Sequence, residues 1–322
     1  MIKDYVFSKT SKIQSFITQI NTYRDLFDKF PKQPQLQENL LRKSTLKSAL
    51  FSARIEGNRL DLNDVESGRV ESKEKNEIFQ IYEAIKFVRS QRQELTKGLI
   101  CNIHEIVMDG LTSELGRFRT EPSAIYNSAG IAVYIAPPVD KVGGLVSSFI
   151  EYTNILEIDI CRAAVAHFAF EKIHPFLDGN GRVGRILLNW HLAKLGYEFI
   201  WFSSFEEYIE NNRDKYYETL SNQTKDITSF IEFILEAIAE SSEKIILQLG
   251  EQKEEKIEDL LSPRRAEMLT LIREHQIMSF DEIRRRFMMV YPRTLHFDLS
   301  DLIKKGLIRK LGTTRGAVYA PK

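Results

Sequence analysis

The chain has 322 residues, 43% hydrophobic and 28% charged, with 45 basic and 45 acidic side chains. That is an ordinary globular balance, long enough for about two domains, and it excludes low-complexity classes. The zero net charge hides an asymmetry: residues 262–322 carry 13 Lys/Arg against 6 Asp/Glu, a net of +7, and the remaining 261 residues carry 32 against 39.

Cys101 and Cys161 are the only cysteines. Two thiols in a chain of this length argue for a reducing compartment and against a disulfide scaffold. The opening MIKDYVFSK has no apolar core or small-residue cleavage site. No run reaches the roughly 18 apolar residues of a membrane span. A cytoplasmic protein is expected.

In chain order, the apolar residues recur mostly at helical spacing. Leu40, Leu41, Leu46, Leu50, Phe51 and Ile55 predict a helix over 40–57, stopped by Gly57-Asn58. Further helices are predicted over 76–90 and 98–111. IYNSAGIAVYIAPP (125–138) breaks the pattern: β-branched and aromatic residues flank Asn127-Ser128-Ala129-Gly130, which predicts a β-hairpin. Helices follow over 143–156 and 158–173, from about Asn180, around Asn211–Leu220 and over 227–249. EQKEEKIEDLL (251–261) is a charge-dense connector. Ser262-Pro263 opens a helix, Ser279-Phe-Asp-Glu282 is a capping box, and Pro292 opens a third helix running to Lys305-Gly306. GLIRKLG and AVYAP read as two strands around 313–316. Three helices and a two-stranded ribbon in sixty residues suggest a winged helix.

One stretch asks for a ligand. HPFLDGNGRVGR (174–185) holds one imidazole, one carboxylate, three glycines and two arginines in twelve residues. Pro175 disfavours helical geometry at His174, so the stretch joins two helices and points at a helix N-terminus, where free N–H groups favour an anion. Gly179 and Gly181 allow close backbone approach. Asn180 is a candidate N-cap and phosphate contact. Arg182 and Arg185 share a helix face and can grip neighbouring phosphates. Asp178 suits Mg²⁺, which takes one or two carboxylates plus substrate phosphates. His174 can accept a proton near neutral pH. The P-loop pattern is absent from the chain.

HPFLDGNGRVGR resembles the Fic-family signature HPF-x-[DE]-GN-G-R-x-x-R at every defined position. IYEAIKFV, IHEIVMDGL, GRFR and YIAPP before it, and NNRDKYYETL after it, resemble further landmarks, over roughly residues 1–245. The resemblance implies transfer of AMP from ATP to a Ser, Thr or Tyr hydroxyl of a target protein or of the chain itself. It implies His174 as general base and Asp178 as Mg²⁺ ligand. Gly179 to Arg182 would hold the α- and β-phosphates and Arg185 the γ-phosphate, within a nucleotide set that also includes Val183, Gly184, Glu56 and Tyr217. The hairpin at 125–136 becomes a flap that aligns the target by strand addition.

Ser52-Ala-Arg-Ile-Glu56-Gly57-Asn58 resembles the family's inhibitory motif [ST]-x-x-x-E-[GN]. Glu56, in the last turn of its helix, would pair with Arg185 and take the place the γ-phosphate needs; Ser52 and Asn58 complete this regulatory set. The same glutamate in some relatives supports AMP removal.

The expected fold is mostly α: a Fic-type helical bundle with a β-hairpin flap, then a small winged-helix (α+β) domain. The expected divisions are an N-terminal helical region (1–75) with the inhibitory helix, a Fic core (76–245), a connector (246–261) and a winged-helix-like domain (262–322). Several residues carry a second reading. His167 belongs in the core rather than in the chemistry. Tyr217 either stacks on adenine or packs. Arg284-Arg285-Arg286 reads as a solvated face. The basic tail would bind DNA, with Arg315 on the backbone and Arg293 and His296 outward, or dock protein. Competing functions are a DNA-binding regulator with a nucleotide-sensing body, a de-AMPylase, and transfer of another group such as phosphate. A homodimer is compatible with the sequence, and no membrane partner is expected.

Overall fold

The computed structural model describes residues 2–30, 34–66, 72–126, 132–155, 159–251, 261–312 and 317–322. The hairpin tip at 127–131, most of the charged connector and Arg315 lie outside them. Contacts divide the chain into two units, 1–30 with 41–249, and 31–40 with 250–322.

The first unit is helical: α1 (Ser11–Lys29), most of α2 (Pro34–Ile55), α3 (Leu62–Glu66), α4 (Lys73–Ser90), α5 (Lys97–Met108), then β1 (Ala124–Tyr126) and β2 (Ala132–Ile135), then α6 (Val139–Thr153), α7 (Ile160–Ile173), α8 (Asn180–Lys194), α9 (Phe205–Asn211), α10 (Arg213–Ser221) and α11 (Thr228–Glu251). The starts follow side-chain caps. Thr10, Ser72, Thr96 and Asp159 accept N–H bonds from the first turns of α1, α4, α5 and α7.

α7 and α8 are the centre of this unit. From Ile160 to Ile173 nearly every residue of α7 is buried, as befits a helix apolar on almost all sides. Val165, Phe168 and Phe170 pack with Val183, Ile186 and Leu187 of α8 in one core. β1 and β2 pair antiparallel, Ala124 opposite Ile135, so the predicted hairpin forms. α2 begins at Pro34, six residues before the predicted start, and ends at Ile55, with Gly57 at φ 101° turning the chain away.

The second unit holds α12 (Pro263–His275), β3 (Met278–Ser279), α13 (Phe280–Arg286), α14 (Pro292–Lys304), β4 (Ile308–Leu311) and β5 (Val318–Pro321). Here the sheet corrects the expected two-stranded ribbon. Met278–Ser279 adds a third strand, in the order β3-β5-β4, antiparallel throughout. Two residues are too short for an alternation signal, and Ser279 also carries the capping box of α13. The small core is Leu261, Met268, Ile272, Ile283, Leu295, Leu299 and Leu302. Within it Asp298, 1% exposed, accepts from the Nε of both Arg264 and Arg265 at 2.6 and 2.8 Å.

Candidate active site

The turn between α7 and α8 is built by backbone and buried side chains before any ligand is considered. α7 ends at His174, which adopts φ 48°, ψ 60°. A left-handed histidine is strained, and such conformations persist where neighbours over-determine them. Here they do. The His174 N–H closes on Phe170 O at 3.0 Å, and its carbonyl accepts Arg119 Nε at 2.8 Å. Arg119, 3% exposed, also donates to the carbonyls of Glu121 and Pro137, and its N–H reaches Pro175 O. One guanidinium thus ties the exit of the hairpin to the histidine.

His174 Nδ1 faces Glu171 O at 3.4 Å. A carbonyl can only accept, so the proton sits on Nδ1 and Nε2 keeps its lone pair. Burial, reinforced by Arg119, lowers the imidazole below its ordinary pKa, against the opposing pull of Glu171 O, Glu56 and Asp178. The result is a neutral base near pH 7.

Asn180 was expected to cap α8. Gly179 does so instead, at φ 79° with no side-chain cap bond. Any side chain there would meet Met108 Sδ at 2.6 Å, so only glycine fits. Asn180 turns inward and staples the loop: its Nδ2 donates to Phe176 O and its Oδ1 accepts Phe176 N–H, both at 2.9 Å. Its side-chain amide thus holds the loop's shape. The first-turn N–H groups of α8 carry no side-chain cap, which leaves them to an anion.

His104 lies under the loop. Its Nδ1 accepts Gly116 N–H at 3.0 Å, so Nε2 carries the proton and donates to Asp178 O at 3.1 Å. Its ring stacks on Phe176 at 3.8 Å. The Asp178 side chain is 70% exposed at the mouth of the turn; its Oδ1 accepts Arg182 Nη2 at 2.9 Å and the Gly179 N–H. Arg182 also binds Glu77 at 2.5 Å. Glu77 in turn accepts from Asn58 Nδ2, so Asn58 is linked to the loop through α4.

Arg185 is 1% exposed and donates from Nη2 to Glu56 Oε1 at 2.8 Å. Ser52 completes its shell, the hydroxyl taking Nε at 3.0 Å and the carbonyl taking Nη2 at 2.9 Å. Burial works against this cation, but Glu56, with Tyr216 and Tyr217 nearby, offsets it and holds the guanidinium charged. The Glu56 carboxylate also presses on Gly181: a Cβ there would collide with Oε1. Glu56 therefore sits over the first turn of α8.

The other expected residues divide. Val183 is fully buried in the core, and Gly184 faces Glu171 and Phe170 of α7. Tyr217 is part-buried, edge-on to Tyr216 and packed on the core. His167 binds Tyr216 Oη at 3.1 Å inside the core, and burial drops its pKa to about 3. Sequence reasoning missed His104, Glu77 and Arg119 as site-builders. The RFR step at 117–119 and the histidine of IHEIVM were visible, but nothing local linked them to a loop 55 to 75 residues away.

Residues 94–192 match the Fic/DOC family model. That stretch is similar to the Fic/DOC domain. It is similar to the protein adenylyltransferase Fic of Drosophila erecta, 31% identical over 200 residues, covering 57% of this chain and 38% of the relative. It is also similar to the protein adenylyltransferase Fic of Nematostella vectensis, 26% over 240 residues, covering 69% and 53%. The chain thus spans about two fifths to a half of the curated relatives it matches. Among solved structures, a Fic family protein from Desulfovibrio desulfuricans superposes with a TM-score of 0.67 at 20% identity, covering 98% of this chain and 97% of that one. Fic-1 from C. elegans superposes at 0.60 and 23%, covering 76% and 74%. These likenesses establish the Fic fold. Among the described residues no helix is long and apolar enough to cross a membrane.

Proposed function

We propose that the chain is a protein adenylyltransferase held in check by its own Glu56. The observation that carries this reading is the side-chain-uncapped N-terminus of α8 between a neutral base, His174, and a buried cation, Arg185, with the Glu56 carboxylate lying where a phosphate would lie. The names of the curated relatives support the reaction class.

The step is in-line displacement at the α-phosphorus. The target hydroxyl attacks, the bond from the α-phosphorus to the bridging oxygen breaks, and pyrophosphate leaves. His174 Nε2 takes the hydroxyl proton as the new P–O bond forms. The α8 N–H groups and Arg182 would neutralise phosphate charge, and Arg185 would receive the γ-phosphate once Glu56 withdraws. Asp178, exposed at the mouth of the turn, is a single carboxylate and fits Mg²⁺ with substrate phosphates completing the shell. When bound, that ion would neutralise phosphate charge and orient the leaving group. The paired strands β1 and β2 suit a flap for a target segment.

The test is incubation of the chain and its Glu56→Gly variant with α-labelled ATP, Mg²⁺ and a lysate. Label on proteins, the chain itself included, supports the reading. Label appearing from γ-labelled ATP instead points to phosphate transfer and removes it.

For the second unit we infer a winged-helix module. Three helices and a three-stranded sheet support this. α14 would be the reading helix, but His296 stacks on Phe280 at 3.8 Å and Phe297 is 66% exposed. That face favours protein docking over base reading. Retarded DNA migration at 150 mM salt would reverse the preference.

A further inference from the structure

Beside the hairpin, on the first unit, lies a cleft of about 500 Å³ that the nucleotide site does not use. Tyr5, Tyr134 and Ile135 form one side, the turn Asn222–Thr224 the other, and Lys172 lies in its wall. Lys172 is 3% exposed, and its Nζ has no hydrogen-bond partner among the described residues. Its ammonium lies 4.0 Å from the Tyr134 ring centroid and 5.3 Å from that of Phe168. Those rings offset part of the cost of burying a cation, but they satisfy none of its three N–H donors. Burial accordingly lowers its pKa to about 8.

In the turn on the far side, Asn222 and Thr224 bond locally. Asn222 Nδ2 donates to Asp226 O, Asn222 Oδ1 takes the Thr224 N–H, and Thr224 Oγ1 donates to Asp226 O. Among the described lining residues Lys172 is the one cation, and its unused donors suit an anion. The lining holds no arginine, whose fork suits a phosphate dianion; one ammonium matches one carboxylate.

Position names the source of that carboxylate. Lys172 lies two residues before His174 on the last turn of α7, and the Tyr134 hydroxyl, from β2, donates to its carbonyl at 2.7 Å. Ile135, next on the strand, is 76% exposed. β2 pairs with β1 on one side only among the described residues, so a segment adding to its other edge runs past the cleft. We propose that Lys172 anchors a carboxylate subsite beneath the hairpin, which selects acceptor segments with an Asp or Glu close to the modified hydroxyl. This rests on the adenylyltransferase reading for the identity of the segment, and on the cleft alone for the anion.

The experiment separates the two. Fluorescent decapeptides with a central Thr and degenerate flanks carry either Asp/Glu or the isosteric Asn/Gln within three positions of the Thr. Binding to the full-length chain is measured by anisotropy without ATP. The acidic set binds at least about tenfold tighter, as expected of a charge-assisted contact. Lys172→Met erases that preference while its melting temperature and its binding of a fluorescent ATP analogue stay as in the parent. Equal binding of the two peptide sets by the unmutated chain overturns the proposal, even if the variant fails to fold. So does a preference that survives in Lys172→Met. Lys172-dependent stabilisation by inorganic phosphate, with no peptide preference, assigns the site to a free anion and also overturns it. A Lys172-dependent preference with no AMP incorporation from labelled ATP in the Glu56→Gly background leaves the subsite standing and removes the transferase reading instead.

Discussion

Glu56 and Arg185, 129 residues apart in sequence, are joined at 2.8 Å, and the arginine is 1% exposed. The carboxylate that closes this pair also rests on Gly181, in the first turn of α8. One side chain therefore lies against both the buried cation and the first turn of α8.

Glu56→Gly is expected to raise self-labelling from α-labelled ATP by about ten- to a hundredfold, given a charge-assisted contact of about 1.5–3 kcal/mol and ~1.4 kcal/mol per decade. Adding Arg185→Ala should cancel much of the gain, since the γ-phosphate then loses its partner. A merely structural pair would cost stability in both single variants and increase activity in neither. A folded Glu56→Gly chain with unchanged labelling removes self-inhibition.

His174→Ala should abolish transfer and leave ATP affinity within about threefold, because it deletes the base and not the phosphate grip. The pH profile follows from the lowered imidazole pKa. The neutral form is the competent one. A depressed pKa keeps it populated through pH 7 and below, so the rate in the Glu56→Gly background holds on mild acidification and falls only under the ordinary imidazole range near 6.5. A rate that halves by pH 7 contradicts this assignment.

Asp178→Ala should weaken Mg²⁺-dependent ATP binding while metal-free nucleotide binding changes little. Calorimetric titrations with and without Mg²⁺ measure the difference, and an unchanged Mg²⁺ dependence excludes Asp178 as the ligand.

Asp298 sets an acid limit on the second unit. Burial pushes its carboxyl up, yet Arg264 and Arg265 together bring it below the usual range. The sign is that of a depressed acid: the stabilisation is present above the unfolded pKa near 3.8 and is lost as pH falls through the folded value. Asp298→Ala removes the carboxylate from both Arg264 and Arg265; Arg265 keeps Asp301, and both cations are still partly in contact with water. A loss of roughly 2–3 kcal/mol is expected, at the low end for breaking a buried pair. Denaturant melts of the full chain at pH 7 and pH 3 measure it. Equal stability of parent and variant at pH 7 would falsify the assignment.

Local chemistry determined much of this protein. Helical periodicity, the Ser279 capping box and Pro263 and Pro292 at helix starts mark out elements from neighbours only a few residues away, where the forces act. The left-handed turn at His174 was legible as an ended helix because Pro175 restricts the residue before it. HPFLDGNGRVGR carried the family resemblance, because its glycines, charges and histidine lie within one turn. The tertiary structure decided what depends on distant chain. Gly179 rather than Asn180 caps α8, and Met108 of α5 fills the space a side chain at 179 would need. Val183 and Gly184 face the core because α7 packs against that side of α8. The helix at 11–29 and the strand at 278–279 went unread, the strand because two residues carry no period. His104, Glu77 and Arg119 hold the loop across 55 to 105 residues, and Tyr134 of the hairpin stacks over Lys172, whose ammonium has no hydrogen-bond partner among the described residues. Such contacts are set by packing and the exclusion of water, which sequence spacing does not encode.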